Sequence, residues 1–293
     1  MKTFLYKIVL ITIVFALTNF LYIEVLKKTD WSLSKVYKIL HFEDKDFDYL
    51  FLGASLTLDG IDAQYLTNKG IDSYNFGTQG TSIRSSYIQL NHYLKNNKKP
   101  EVVLLGVGSL SKSYKDYNNE FTISVPYQYF YFDNKLSFEN LPMVKFRGLA
   151  IENLKQVVSK EHREAEFVRG QLRIKKKVPD NTKYKQKLDR TIHVSDYEGA
   201  SHLFKIDSVC KKNDIKFLVL EMPGFKKTQN LIPVGPHKLW DETHDTIVLY
   251  NLNNKDLVSK LINSKNDWLG NSHLNQYGAK KLTKYIYDTI LKK

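Results

Sequence analysis

The sequence is poor in cysteine and lacks several motifs that would assign it to a class at once. Its 293 residues contain a single cysteine, Cys210, which excludes an internal disulfide bond. No zinc-ligand spacing is present, and no glycine-rich stretch is followed by the Gly-Lys-Ser/Thr of a phosphate-binding loop. We therefore expect no metal and no organic cofactor, and we interpret Cys210 as a small residue of the core.

Negative charge is also scarce. The chain has 31 Asp and Glu residues against 44 Lys and Arg residues, a formal net charge of +13. The excess is uneven, because residues 144–190 hold 14 Lys and Arg but only 6 Asp and Glu. Such a block can bind nucleic acid, face a membrane or form a solvated surface. Since the sequence has no RNA-binding aromatic motif and no evident helix-turn-helix, we expect no nucleic-acid partner.

An uncharged run near the amino terminus predicts a membrane anchor. Lys2 and Lys7 precede residues 8–23, 16 residues without charge, close to the lower limit of about 17–25 residues for a membrane span. A cleaved signal peptide and a buried helix are the alternatives, although no convincing small-x-small cleavage site follows. We expect residues 1–30 to be the anchor and linker of a single-pass bacterial membrane protein. Residues 31–293 would form a domain outside the cytoplasm.

Beyond this run, apolar segments bounded by turn residues alternate with helical patterns. Because the segments are continuously apolar rather than alternating, they favour parallel strands covered on both faces. The pattern predicts an α/β domain with a doubly wound, five-stranded parallel sheet. The predicted strands are residues 46–53, 71–76, 101–108, 215–222 and 246–252.

One segment, about residues 112–190, has no strand–helix rhythm. It begins polar, becomes aromatic, and turns helical and basic from Leu141 onward. A stretch of this length is too long for a plain loop, so we interpret it as a helical lid or cap inserted between the third and fourth strands. The alternative is a solvated helical insertion that does not contact substrate.

Small and polar residues follow the ends of the predicted strands. Ser55 follows the first strand in "FLGASLTLDG", and His273 lies in "NSHLNQYGA" before the last helix. In open α/β sheets, the carboxyl ends of the strands gather the ligand site. A serine nucleophile needs a base within hydrogen-bond reach and donors for the oxyanion. Ser55, His273 and the glycine-bearing turns supply these parts, although a Gly-x-Ser turn or a capping histidine is a common feature when taken alone.

The order "FLGASLTLDGID", "YNFGTQGTS", "VVLLGVGS", "NSHLNQYGA" resembles the SGNH (GDSL-type) hydrolase superfamily. It is closest to the membrane-anchored bacterial branch that resembles alginate O-acetyltransferase-like and D-alanyl-teichoic-acid-type proteins. The resemblance implies flavodoxin-like layering of helices and sheet. It also implies that Ser55 is the nucleophile and one oxyanion donor, that Gly80, or alternatively Gly77, is the second donor, and that His273 is the base.

Two positions depart from the family pattern. Gly108 stands where the family's third block has an asparagine, so a side-chain oxyanion donor is missing there. Gly270 stands three residues before the histidine, where the family has its acid. Asp267 is the acid that we favour in its place, and Glu221 or a backbone carbonyl that orients a Ser–His dyad are the alternatives. We interpret Asn275 and Asp59 as structural.

These observations favour an extracytoplasmic serine esterase or O-acyltransferase acting on acyl esters of a cell-surface or exported polysaccharide. The alternative is a catalytically inactive SGNH-like protein that binds anionic glycan or lipid headgroups and assists cell-envelope assembly.

Overall fold

A computed structural model describes residues 2–29, 31–108, 141–145, 166–177, 201–224, 229–240, 246–270 and 273–292. Its centre is a six-stranded sheet. The strands of this sheet are β1 (Tyr49–Gly53), β2 (Ser73–Asn75), β3 (Val102–Val107), β6 (Lys216–Glu221), β7 (Gly235–Trp240) and β8 (Thr246–Asn251). Their order is β2-β1-β3-β6-β8-β7, and every neighbouring pair is parallel except β7 and β8 at one edge.

Helices cover both faces of the sheet, which confirms the predicted α/β layering. They are α1 (Lys2–Thr29), α2 (Trp31–Leu40), α3 (Ser55–Gly60), α4 (Ala63–Thr67), α5 (Ile83–Asn96), α6 (Pro142–Lys145), α7 (Ser201–Lys212), α8 (Lys255–Leu261) and α9 (Gln276–Ile286), followed by a π-helical turn (Tyr287–Leu291). One face packs on α2, α5 and α7, and the residues buried there include Ile39, Leu90 and Cys210. The other face packs on α4, α8 and α9, with Leu66 and Leu282 buried. Cys210 is therefore a core residue, as predicted.

The prediction of five parallel strands was incomplete, because it missed β7. This strand runs antiparallel to β8, from Gly235 opposite Asn251 to Trp240 opposite Thr246. Its sequence, "GPHKLW", opens with Gly-Pro and reads as a turn. Proline is tolerated in a strand at a sheet edge because its missing N–H faces away from the neighbouring strand.

The described part of the insertion contains a β-hairpin where the sequence predicted helix. Strands β4 (Glu166–Val168) and β5 (Gln171–Arg173) are joined by Arg169 and Gly170. Both turn residues have positive φ, +49° and +80°, as a tight two-residue hairpin turn requires. The hairpin docks on the sheet, since Asn75 N–H donates to Arg169 O at 2.9 Å. The structure also describes α6 and residues 174–177, and the rest of the proposed cap lies outside the described residues.

Helix α1 carries most of the exposed large apolar side chains of the structure. It is the one helix among the described residues that is long and apolar enough to span a membrane, over Lys2–Tyr22, and a signal sequence would have the same properties. Helix α2 follows after a single residue and buries Val36, Ile39 and Leu40 in the domain.

Candidate active site

The turn from β1 into α3 is possible because residue 53 is glycine. Gly53 has a φ of +139°, which strains any side-chain-bearing residue. A Cβ added there would lie 2.2 Å from Thr57 Oγ1 and 2.4 Å from Gly106 O. The chain therefore turns sharply at the sheet edge and begins α3 at Ser55, whose hydroxyl stands at the carboxyl end of the central strands.

His273 meets this serine although 218 residues separate them in the chain. Its Nε2 lies 2.8 Å from Ser55 Oγ. Backbone pairing fixes the position of His273. Leu269 N–H donates to His273 O at 2.8 Å, and Trp268 forms an antiparallel β-bridge with Leu274. After it, the Asn275 side chain caps α9 by accepting from the N–H groups at positions 277 and 278. The structure thus brings together the predicted nucleophile and base.

The imidazole of His273 is suited to accept a proton. Burial lowers its pKa below the ordinary value for histidine, because the charged form loses hydration. The ring is therefore neutral at pH 7, and Nε2 can accept the hydrogen bond from the Ser55 hydroxyl. This is the protonation state that a general base needs.

The two glycines proposed as oxyanion donors differ in what their N–H groups do. Gly77 N–H donates to Asn75 Oδ1 at 2.8 Å and is committed to that bond. Gly80 is exposed and left-handed, with a φ of +63°. The turn that contains Gly80 is hydrogen-bonded to the end of β1, because Thr78 N–H donates to Gly53 O at 3.0 Å. Because the Gly77 N–H is already used, Gly80 is the better candidate of the two for an oxyanion donor.

Gly108 comes directly after β3, at the same edge of the sheet as Ser55. Having no side chain, it brings only its backbone to this edge, where the SGNH pattern has an asparagine amide. Position 108 can therefore contribute only backbone groups to an oxyanion site.

Asp267 and His273 are not brought together. The Asp267 carboxylate is buried, its Oδ2 accepts from Asn263 N–H at 2.6 Å, and it pairs with Lys281 Nζ at 2.6 Å. Among the hydrogen bonds and ion pairs of the described residues, none joins Asp267 to His273. The Asp267 carbonyl does accept from Asn275 N–H at 2.9 Å. Through these contacts, Asp267 stabilises the segment that leads to His273.

Glu221, the alternative acid, ends β6 inside a buried amide cluster. Its Oε1 accepts from the side-chain amides of Asn230 at 3.0 Å and Asn253 at 3.1 Å. Asn230 and Asn251 also hydrogen-bond to each other through their side chains. These bonds engage Glu221 Oε1 with residues that flank β8. The polar residues after β6 and β8 gave no motif by which the sequence could reveal this cluster.

The insertion contacts residues next to His273, a question that the sequence did not decide. After the hairpin, Ile174 O accepts from Gln276 N–H at 3.1 Å, and Lys176 O accepts from the Asn275 amide at 3.2 Å. The segment that includes the exposed lysines 175–177 therefore runs beside the start of α9, two to three residues after His273. The Gln171 amide also donates to the backbone carbonyl of residue 59, on the helix α3 that begins at Ser55, at 3.2 Å.

The described residues contain no group of three His, Cys, Asp or Glu side chains that could hold a metal ion. The site brings together a serine hydroxyl and a neutral histidine, the two groups that an activated serine nucleophile requires.

No protein-family model matches the chain, and no curated protein matches it either. Among solved structures, the chain is similar to one from Streptococcus pneumonia that is provisionally described as a platelet activating factor. The overlap covers 93% of this chain and 97% of that one, with 12% sequence identity and a TM-score of 0.41. A likeness at this level carries no conclusion about function, which rests on the residues described above.

Proposed function

We propose that the chain is a membrane-anchored serine esterase or O-acyltransferase of the bacterial cell envelope that works through a Ser55 acyl-enzyme. The observation that carries the proposal is the 2.8 Å contact between His273 Nε2 and Ser55 Oγ. That distance lies within the hydrogen-bond reach that nucleophile activation requires. The pairing also matches the roles that the SGNH resemblance assigns to these two residues.

The chemistry follows from the groups present. Ser55 Oγ attacks the ester carbonyl while His273 Nε2 takes the hydroxyl proton. The oxyanion of the tetrahedral intermediate accepts hydrogen bonds from the N–H groups of Ser55 and Gly80. When the C–O bond to the leaving alcohol breaks, His273 returns the proton to that alcohol. The acyl group remains on Ser55, and water or a sugar hydroxyl, deprotonated by His273, then attacks it. The bond between Ser55 Oγ and the acyl carbon breaks, and His273 returns the proton to Ser55 Oγ.

The substrate and location are part of the proposal. A helix of the length and composition of α1 supports a tether at the membrane, with the catalytic domain outside the cytoplasm. An enzyme held there meets acyl esters of cell-surface or exported polysaccharides. The exposed lysines 175–177 beside α9 favour an anionic polymer over a neutral one.

A fluorophosphonate probe tests the proposal directly, because it labels an activated serine. We expect it to modify Ser55 in the full-length protein and to leave Ser55→Ala and His273→Ala unlabelled. Turnover of a small acyl ester should fall by several powers of ten in each variant, and the double variant should be little worse than either single one, because the pair acts as a unit. The matched control is Ser73→Ala, which changes a buried strand serine outside the site and should keep both labelling and turnover.

The alternative is a non-catalytic protein that binds anionic glycan through its basic surface. Gly108, which lacks a side-chain donor, and the exposed lysines 175–177 favour this second function. It predicts that the probe does not label Ser55, and that binding of an anionic polysaccharide is unchanged in Ser55→Ala.

A further inference from the structure

A buried lysine joins the helix after the anchor to the turn beside the nucleophile. Lys35 lies on α2, which α1 precedes by a single residue. Only 6% of Lys35 is exposed, whereas Lys38, one turn later on the same helix, is exposed. Lysine is almost never buried unless it is paired, so its contacts need a reason.

The Lys35 ammonium group donates a hydrogen bond to Gly77 O. Gly77 opens the turn that contains Gly80. On the other side of this turn, Thr78 N–H donates to Gly53 O at 3.0 Å. The turn is thus held on one side by the strand that delivers the nucleophile and on the other by Lys35.

A second charge near Lys35 is Asp59, four residues after Ser55 on α3. Asp59 is 6% exposed, and its Oδ1 has no hydrogen-bond partner among the described residues. Burial raises the pKa of Asp59 to about 8, and the positive charge of Lys35 acts against that rise. Burial lowers the pKa of Lys35 well below its ordinary value, and Asp59 acts against that fall. Each of the two groups therefore favours the charged form of the other inside the domain.

We propose that Lys35 is a positioning residue of the site: it holds the Gly77 carbonyl, and thereby the Gly80 N–H, in register with Ser55. This inference rests on the proposed function, because it takes Gly80 as an oxyanion donor. An oxyanion donor acts only when it points at the place where charge develops, so a free turn loses part of its effect. Since α2 follows the anchor directly, one side chain connects the membrane end of the domain to the oxyanion donors.

The test compares full-length Lys35→Met, Lys38→Met and Lys35→Met/Asp59→Asn, using turnover of p-nitrophenyl acetate. We expect kcat of Lys35→Met to fall about tenfold to hundredfold with KM within about threefold, since donor loss acts on the transition state. Lys38→Met should match the wild type. The double variant removes both buried ionisable groups, so its thermal stability should recover relative to Lys35→Met while kcat stays low.

A purely structural role makes a different prediction, namely that kcat recovers together with stability in the double variant. That result, or equal kcat in Lys35→Met and Lys38→Met, would overturn the inference. If Lys35→Met does not accumulate, the double variant gives the same comparison without an uncompensated buried carboxyl. Ser55→Ala, measured alongside, separates the two proposals: if it retains turnover, the proposed function fails, whereas its inactivity together with an unaffected Lys35→Met removes only the role of Lys35.

Discussion

Position 270 offers a way to place an acid where the SGNH pattern has one. Leu269 N–H bonds to His273 O across the loop, so Gly270 lies close to the histidine. A Cβ at Gly270 would meet nothing within 4 Å, and its φ lies outside the left-handed region. We therefore expect Gly270→Asp to fold normally and to present a carboxylate to the His273 ring.

The size of the gain follows from the charge that forms during reaction. In the proposed mechanism, His273 takes the Ser55 proton and becomes an imidazolium in a site whose burial already disfavours that charge. A carboxylate about 4 Å away interacts with it by about 4 kcal/mol at an effective dielectric constant of about 20. Because Gly270 is only half-buried, we expect about 1.5–3 kcal/mol of this to be realised. That corresponds to a rise in kcat of about tenfold to hundredfold.

The assay is ester turnover across pH, with Gly270→Asn as the control of equal size and no charge. The added carboxylate should raise the pKa of His273, so the acidic limb of the kcat/KM profile should move to higher pH in Gly270→Asp alone. If Gly270→Asp and Gly270→Asn have the same kcat and the same profile, the assignment of His273 as the base whose developing charge limits turnover is wrong.

Three further predictions concern the parts around this site. Asp267→Asn should lower kcat less than about tenfold while lowering the melting temperature, and Lys281→Met should do the same; a loss of about 10⁴ in kcat would instead restore Asp267 as the triad acid. Gly53→Ala should lower the free energy of unfolding in urea by several kcal/mol, because the added Cβ has no room. Gly70→Ala, at positive φ but with open space around it, should lower it by only about 1–2 kcal/mol, and equal losses would contradict the steric reasoning. The intact chain should fractionate with membranes and a domain cut after residue 30 should be soluble, which recovery of the intact chain in the cytoplasm would contradict.

Much of the central sheet could be predicted from the sequence, because continuous apolar strands carry their own signal. The segment around Leu104 is buried on both faces and reads as a parallel strand without reference to any other residue. The approach of Ser55 and His273 was also predictable, because Ser55 follows a strand at the edge where ligands gather and the SGNH resemblance pairs it with His273.

The remaining features depend on partners that are distant in sequence. Strand β7 is defined by its pairing with β8, and "GPHKLW" alone shows neither strong alternation nor a continuous apolar run. Lys35 looks like any other charged residue of a helix until the tertiary contact with Gly77 is known. Asp267 lies six residues before His273 in the sequence, but its carboxylate forms an ion pair with Lys281 of α9. Proximity in sequence therefore suggested a triad that the contacts of Asp267 do not form.

The composition of the site bears on whether the acyl group goes to water or to another hydroxyl. Gly108 stands in place of an amide donor, and the Asp267 carboxylate is engaged by Lys281 rather than by the histidine. In the proposed mechanism, such a site stabilises the transition state less than the full SGNH set does, so both formation and breakdown of the acyl-enzyme should be slow. Slow breakdown is a disadvantage for an esterase, but it keeps the acyl group on Ser55 until an acceptor arrives. Because the segment after β5 runs beside the histidine with lysines 175–177 exposed, an anionic acceptor would be held next to that acyl group. Within the proposed function, we therefore favour transfer to a polysaccharide hydroxyl over hydrolysis.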